Sequence, residues 1–270
     1  MKKTSKHLWQ NVYKFLEMSI SFHQNHYRNF KHFYLNHVQQ FWHSAFPKPP
    51  SYNRFIEWIP STIIPLCVYL KHCFGHCTGI SFIDSSKIQV CHNRRISRNK
   101  VFQELAARGK TSVDWFFGFK LHLVVNELGE IINMKLTPGN VDGSEVLRDA
   151  VRKPVVELVQ QLWGKIFGDK GYVSQKLASK LLEDFGIEFF AKRKRNMKNK
   201  LMRLHDKLLS RKRSIIENVN DQLKNVSQIE HSRHRSPVNF CANILCGLIA
   251  YCHKPKKPSL RLEWLLPQSA

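Results

Sequence analysis

The sequence predicts a mixed α/β fold: three meandering strands, then helix, strand, helix and strand, and finally helices alone. Two observations carry this. Around Asp84, from Trp115 to Val125 and from Ile131 to Leu136, apolar residues follow the period of two that a half-buried strand imposes. From about Leu201 onward they recur every three to four positions, the spacing of one helix face.

Residues 1–46 read as helical. Leu8, Val12, Phe15, Leu16 and Ile20 share one face, and Phe30, Phe33, Tyr34, Val38 and Phe41 share another. Pro47, Pro49 and Pro50 mark a linker, and a further helical piece spans about Tyr52 to His72. This gives a helical N-terminal region over 1–50, a helical connector over 51–78, a main domain over 79–253 and a basic, proline-containing tail over 254–270.

The main domain opens on the strand through Asp84, with Phe82, Ile83, Ile88 and Val90 as its apolar positions. A basic loop follows from His92 to Lys100. Asn126-Glu-Leu-Gly129 turns the next strand back on itself, and Pro138-Gly-Asn140 ends the third. Asp142 or Ser144 caps a helix to about Val151; Lys165 to Asp169 is a short strand; Ser174 opens a helix that Gly186 closes. Ile187 to Ala191 is one more strand. A basic stretch from Lys192 to Lys200 precedes a long helix over about Leu201 to Val226, and a last apolar helix runs from Pro237 to Tyr251.

Lysine and arginine number 43 against 20 acids, a formal charge of +23. Such a surplus stabilises no fold; it selects a polyanion, nucleic acid before an anionic membrane. A spanning helix is excluded, because no apolar run approaches the ~20 residues a bilayer requires. The longest, Ile63 to Leu70, contains a proline, and polar residues interrupt any secretory h-region after Lys2 and Lys3. The protein is therefore expected in the cytosol. Seven cysteines, an odd number in a chain this long, argue against a disulfide framework. His72, Cys73, His76 and Cys77 cluster, but without a second ligand pair at finger spacing no structural zinc is expected.

Three acids stand in unusual settings. Asp84 interrupts an apolar strand, where a lone buried charge costs several kcal/mol. The local alternative is an Asp-Ser-Ser turn that binds its own backbone. Asp169 ends a strand at Gly168-Asp-Lys-Gly-Tyr172, a glycine-rich turn of the kind that collects binding groups. Glu217 lies on the polar side of its helix with Arg213, Asn220, Asp221 and Lys224, opposite Leu208, Ile215, Val219, Leu223 and Val226. Taken singly, Asp169 is a turn residue and Arg213–Glu217 an ordinary i,i+4 pair. Three carboxylates on separate elements of so basic a chain point instead to phosphodiester chemistry. There two divalent ions about 3.5–4 Å apart stabilise the attacking and leaving oxygens. Hard oxygen ligands select magnesium or manganese. Asp114, Asp142, Glu145 and Asp221 are the acids set aside, Asp142 and Glu145 as first-turn helix residues.

Six stretches together resemble a known family: Ser81-Phe-Ile-Asp-Ser85, Phe117-Gly-Phe-Lys-Leu-His122, Leu136-Thr-Pro-Gly-Asn-Val141, Phe167-Gly-Asp-Lys-Gly-Tyr172, Ile215-Ile-Glu-Asn218 and Ile229-Glu-His-Ser-Arg-His-Arg-Ser236. Over about Ser21 to Leu260 the chain resembles the DDE transposases of bacterial insertion sequences, specifically the insertion sequence 982 family. The resemblance implies a ribonuclease H-like catalytic core and the triad Asp84, Asp169 and Glu217 holding two Mg²⁺ or Mn²⁺ ions. It also implies double-stranded DNA as partner, both element ends and target, and a homodimer that pairs the ends, in the cytoplasm at the nucleoid. No membrane and no small-molecule substrate are expected. Arg213, Lys224, Arg94, Arg95, Lys170, Lys192 and Arg193 are the expected phosphate contacts. Related families carry a tyrosine–arginine–glutamate–lysine signature, which Arg213, Glu217 and Lys224 match while Ser210 replaces the tyrosine. Residues 1–20 depart from the longer helical region of the family, so the module that recognises element ends is expected to be shortened. The competing expectations are a ribonuclease H-like nuclease that only hydrolyses, and a catalytically silent DNA-binding remnant of a decayed element.

Overall fold

In the computed structural model, which describes residues 13–111, 114–141, 161–192, 201–230, 234–260 and 262, six strands form one mixed sheet. β1 (Ile80–Cys91) runs straight through Asp84-Ser-Ser, so the turn alternative for Asp84 is discarded. Ser85 and Ser86 pair with His122 and Leu121 of β3 (Trp115–Asn126). β2 (Ala107–Lys110) and β4 (Ile131–Pro138) take successive stretches of β3's other edge, both antiparallel to it. On the far side of β1, β5 (Lys165–Gly168) and then β6 (Glu188–Ala191) add in parallel. The sheet is mixed and flanked by helices, as in a ribonuclease H-like core. β2 was not expected. Ala-Arg-Gly-Lys has no apolar alternation, and its strand exists because its backbone pairs with Trp115 to Gly118.

The period-two positions become the core. Ile83, Val124, Ile132 and Ile166 of the sheet pack with Ile187 and with Leu177 and Leu181 of the Gln175–Phe185 helix. Burying each such side chain contributes about 1.5–3 kcal/mol. The helix stops where the sequence stops it. The Ser174 hydroxyl accepts from Leu177 N at its start, and Gly186 closes it at φ +64, a left-handed conformation natural to glycine.

One expected element is broken. The single helix from Leu201 to Val226 is instead Leu204–Arg211, a turn, Ser214–Asp221, and a π-helical Gln222–Val226. The break falls at Lys212 and Arg213, between the two helices. Asp206 is buried and its carboxylate accepts from Lys165 Nζ at 2.5 Å, tying the Leu204–Arg211 helix to β5.

The chain divides into two compact units: described residues of 1–73, 100–102 and 221–254 in one, those of 74–99, 103–220 and 255–270 in the other. The second holds the sheet. The first is helical with an aromatic core in which Phe15 stacks on Phe55 at 3.8 Å, and Phe22, Phe33 and Tyr34 are buried around them. Within it the Pro237–Cys252 helix, capped by Ser236, packs on Ile63–Cys73. Phe33, Tyr34 and Val38 are inside as expected, but Phe41 is 69% exposed. The π-helical turns of Tyr34–Val38 rotate the stripe away from the 3.6 period.

Candidate active site

Register places the first two acids. β1 and β5 pair in parallel up to Ile83 opposite Gly168, so Asp84 on β1 and Asp169, the first residue past β5, follow the last paired residues side by side. Gly168 allows this crowding, since a Cβ there would meet Phe189 at 3.1 Å and Ile83 Cγ2 at 3.2 Å. After it the chain leaves the sheet in a 3₁₀ turn, Lys170–Tyr172, with Asp169 at its start. The third acid comes from the Ser214–Asp221 helix, which buries Ile215, Ile216 and Val219 and leaves Glu217 on its open side.

Arg213 joins all three. Its guanidinium donates to Asp84 Oδ2 at 3.2 Å and to Glu217 Oε1 at 2.5 Å, and lies 3.9 Å from Asp169 Oδ1. Arg213 and Asp84 are mostly buried, at 15% and 18% side-chain exposure, whereas Asp169 and Glu217 are open at 42% and 56%. Burial pushes the Asp84 carboxyl above its ordinary range, against the opposing pull of Arg213 and of the Ser85 N–H, which Oδ1 accepts at 2.8 Å; the charge of Asp169 pushes the same way as burial. For this innermost acid, burial outweighs even the nearby Arg213 guanidinium.

Behind the acids lies a hydrogen-bonded chain that the sequence reading did not assign. His122 Nδ1 is 3.1 Å from the Tyr172 hydroxyl and His122 Nε2 is 3.0 Å from Thr137 Oγ1. Tyr172 also bonds Ser85, the residue after Asp84. Burial, reinforced by the charges of Lys120 and Lys135, lowers His122 to about 4, so the imidazole is neutral and one nitrogen donates while the other accepts. Burial and the neighbouring Asp84 charge raise the Tyr172 hydroxyl, which stays protonated. A histidine within the largely apolar run from Phe116 to Val125 was the available signal.

Of the expected phosphate contacts, Arg94 and Arg95 are exposed on the Asn93–Arg98 turn, Lys170 is exposed beside Asp169, and Lys192 is exposed after β6. Arg193 lies outside the described residues, as do Asp142 and Glu145. Lys224 belongs to the helical unit, where its ammonium is 3.1 Å from Glu230. Among the described residues no disulfide joins the seven cysteines, and no three His, Cys, Asp or Glu side chains are grouped to hold a metal as they stand. The chemistry of the three acids nonetheless fits a hard divalent ion. Their donors are all carboxylate oxygens, and they already converge on one cation, the Arg213 guanidinium.

Among the described residues no helix is long and apolar enough to cross a membrane. No curated protein matches the chain. A family profile, the transposase DDE domain, matches residues 74–237, more than half of the chain and a span that includes Asp84, Asp169, Arg213 and Glu217. With a mixed sheet whose adjacent strands carry two of the acids, the chain belongs to the transposase DDE-domain family.

Proposed function

We propose that this protein is the transposase of an insertion sequence of the 982 family, which cleaves DNA at the element's ends and joins the freed 3′-hydroxyl to target DNA. The observation that carries the reading is the convergence of Asp84, Asp169 and Glu217 on one guanidinium, inside the span matched by the transposase DDE domain. In this reading residues 79–253 form the catalytic domain, and the helical region over 1–50 contacts the element ends. The protein works at the nucleoid as a homodimer that pairs the two ends.

Asp84, Asp169 and Glu217 would hold two Mg²⁺ or Mn²⁺ ions, which when bound supply the Lewis acidity for phosphodiester cleavage. The chain's own residues do the rest. Asp84 is oriented by the Ser85 N–H, and the Tyr172–His122–Thr137 chain reaches Ser85 beside it, which supports the carboxylate's position. Arg213 would compete with a bound metal for the acids, and its planar fork also suits a phosphate once the acids are otherwise neutralised. Lys170, Lys192, Arg193, Arg94 and Arg95 hold the DNA backbone, and Lys224, paired with Glu230, is the weakest of the expected contacts.

The test is to incubate the purified protein, Mg²⁺ and DNA carrying the terminal repeats that flank the gene. Joined products of donor and target are expected. Hydrolysis without joining would make the protein a nuclease, and inert binding would make it a remnant.

A further inference from the structure

The helical unit contains a cavity of about 730 Å³, within the range of small-molecule sites, that the carboxylate cluster does not explain. Phe15, Phe22, Phe30 and Tyr52 give it aromatic walls. Arg28, Lys31 and Arg235 also line it, and among the described residues no carboxylate does. All three cations are exposed, and the Lys31 ammonium lies 5.8 Å from the Tyr52 ring centroid. Deeper in, His234 Nε2 is buried with no hydrogen-bond partner among the described residues. Burial lowers both His234 and its neighbour His23 to about 4, so no charge from either competes with the three cations for an anion. A buried nitrogen left without a partner is costly and calls for one.

His234 and Arg235 come from Ile229-Glu-His-Ser-Arg-His-Arg-Ser236, a stretch distinctive in the sequence and unused by the carboxylate site. We propose that this cavity binds a nucleotide, with its base against the aromatic wall of Phe30 and Tyr52, its base edge on His234 Nε2, and its phosphate on Arg28, Lys31 and Arg235. Other ligands use less of the site. A bare phosphate leaves the aromatic wall uncovered, and an acyl chain leaves both His234 Nε2 and the cations unpaired. The nucleotide comes either from DNA, extruded from the stack, or from solution. The choice of DNA as source rests on the transposase reading; the chemistry of the cavity does not.

The experiment uses the full chain in two arms. In the first, binding of dAMP is compared with binding of inorganic phosphate. In the second, duplex DNA carrying 2-aminopurine is added, whose fluorescence rises when the base leaves the stack. dAMP is expected to bind at least about tenfold more tightly than phosphate, an advantage of about 1.4 kcal/mol for the base. The double variant Arg28→Gln/Arg235→Gln, at two exposed positions, should weaken dAMP at least about tenfold and abolish the fluorescence rise. A response in the second arm identifies DNA as the source, and a response in the first alone identifies a free nucleotide. The proposal is overturned if neither arm responds in the wild-type chain, or if the double variant behaves as wild type in both. Asp169→Asn should respond as wild type in both arms, so failure of the catalytic reading and failure of this one are seen separately.

Discussion

The two units handle charge differently. In the sheet unit, acids are drawn together: Asp84 and Asp169 by the register of two parallel strands, Glu217 by a helix, and all three by one arginine. In the helical unit the described acids form no such cluster, and cations lie over aromatic faces, Lys14 at Phe46 (6.0 Å), Lys31 at Tyr52 (5.8 Å) and Arg54 at Trp58 (5.4 Å), as Lys110 at Trp115 and Lys165 at Phe190 also do in the sheet unit. The supports differ as well. Strand pairing fixes neighbouring residues to within a hydrogen-bond length, whereas residues 30–62 of the helical unit are short α, 3₁₀ and π pieces over an aromatic core, beside the longer Ile63–Cys73 and Pro237–Cys252 helices. Chemistry on a phosphodiester needs the first kind of precision, since small misplacements of reacting groups cost large factors in rate. Contact with an anionic polymer tolerates the second kind.

The largest expected effect tests the sheet unit's side of this contrast. Asp169→Asn removes one charge from the cluster without changing its shape. Strand cleavage should fall by more than about a thousandfold, while DNA affinity measured in parallel stays level or improves. Retained cleavage would mean the acids are only a structural ion-pair network.

A smaller effect spans both units and concerns acid. His122, His23 and His234 each fall from 6.5 to about 4, chiefly through burial. A histidine with a depressed folded pKa contributes stability that is complete above pH 6.5 and is lost as pH falls toward 4, because only the unfolded chain takes up the proton. Each contributes roughly 3 kcal/mol of acid sensitivity over that window. Asp84, raised in the native state, acts in the opposite direction near its own pKa, so the net loss is less than three times that figure. Denaturant titrations at pH 7 and pH 4.5 check it. Equal midpoints would mean the imidazoles find protonated forms the native packing accepts.

Much of the sheet was legible in the sequence, because period two and turn chemistry are local. β1, β3, β4 and β5, and the helix from Ser174 to Gly186, follow from apolar alternation and from caps. β2 was not legible, since pairing partners and not its own residues make Ala107–Lys110 a strand. The helix break at Lys212 and the exposure of Phe41 were missed for a related reason: a fixed 3.6 period cannot register a turn or a π-helical stretch inside a helical pattern. At the site, the Arg213–Glu217 pair was visible as an i,i+4 spacing. The reach of the same arginine to Asp84, 129 residues earlier, was not, because only the folded sheet creates it.

That long reach yields the third prediction. Arg213→Gln leaves three carboxylates facing one another, so without metal the variant should be less stable by about 1–3 kcal/mol, a moderate figure for partly exposed pairs. Mg²⁺ or Mn²⁺ should then raise its melting temperature more than that of the wild type, because the ions no longer displace a guanidinium. An equal rise in both proteins would show that the arginine and the ions use different oxygens.

The smallest effect asks whether the two units contact DNA alike. Each phosphate neutralised by a cation releases counterions and adds about 0.9 to the slope of log affinity against log salt. Arg94 and Arg95 are exposed, so Arg94→Gln/Arg95→Gln should flatten the slope by about two. Lys224 differs: its ammonium is 3.1 Å from Glu230, with each side chain only 21% exposed. A cation already neutralised by a carboxylate displaces few counterions when DNA arrives, so Lys224→Ala should flatten the slope by clearly less than one. Its effect should appear instead as a small loss of stability, with Glu230 left without that partner. A full unit lost on Lys224→Ala would mean that DNA opens the ion pair. The helical unit would then contribute to the phosphate grip as directly as the Arg94–Arg95 turn does.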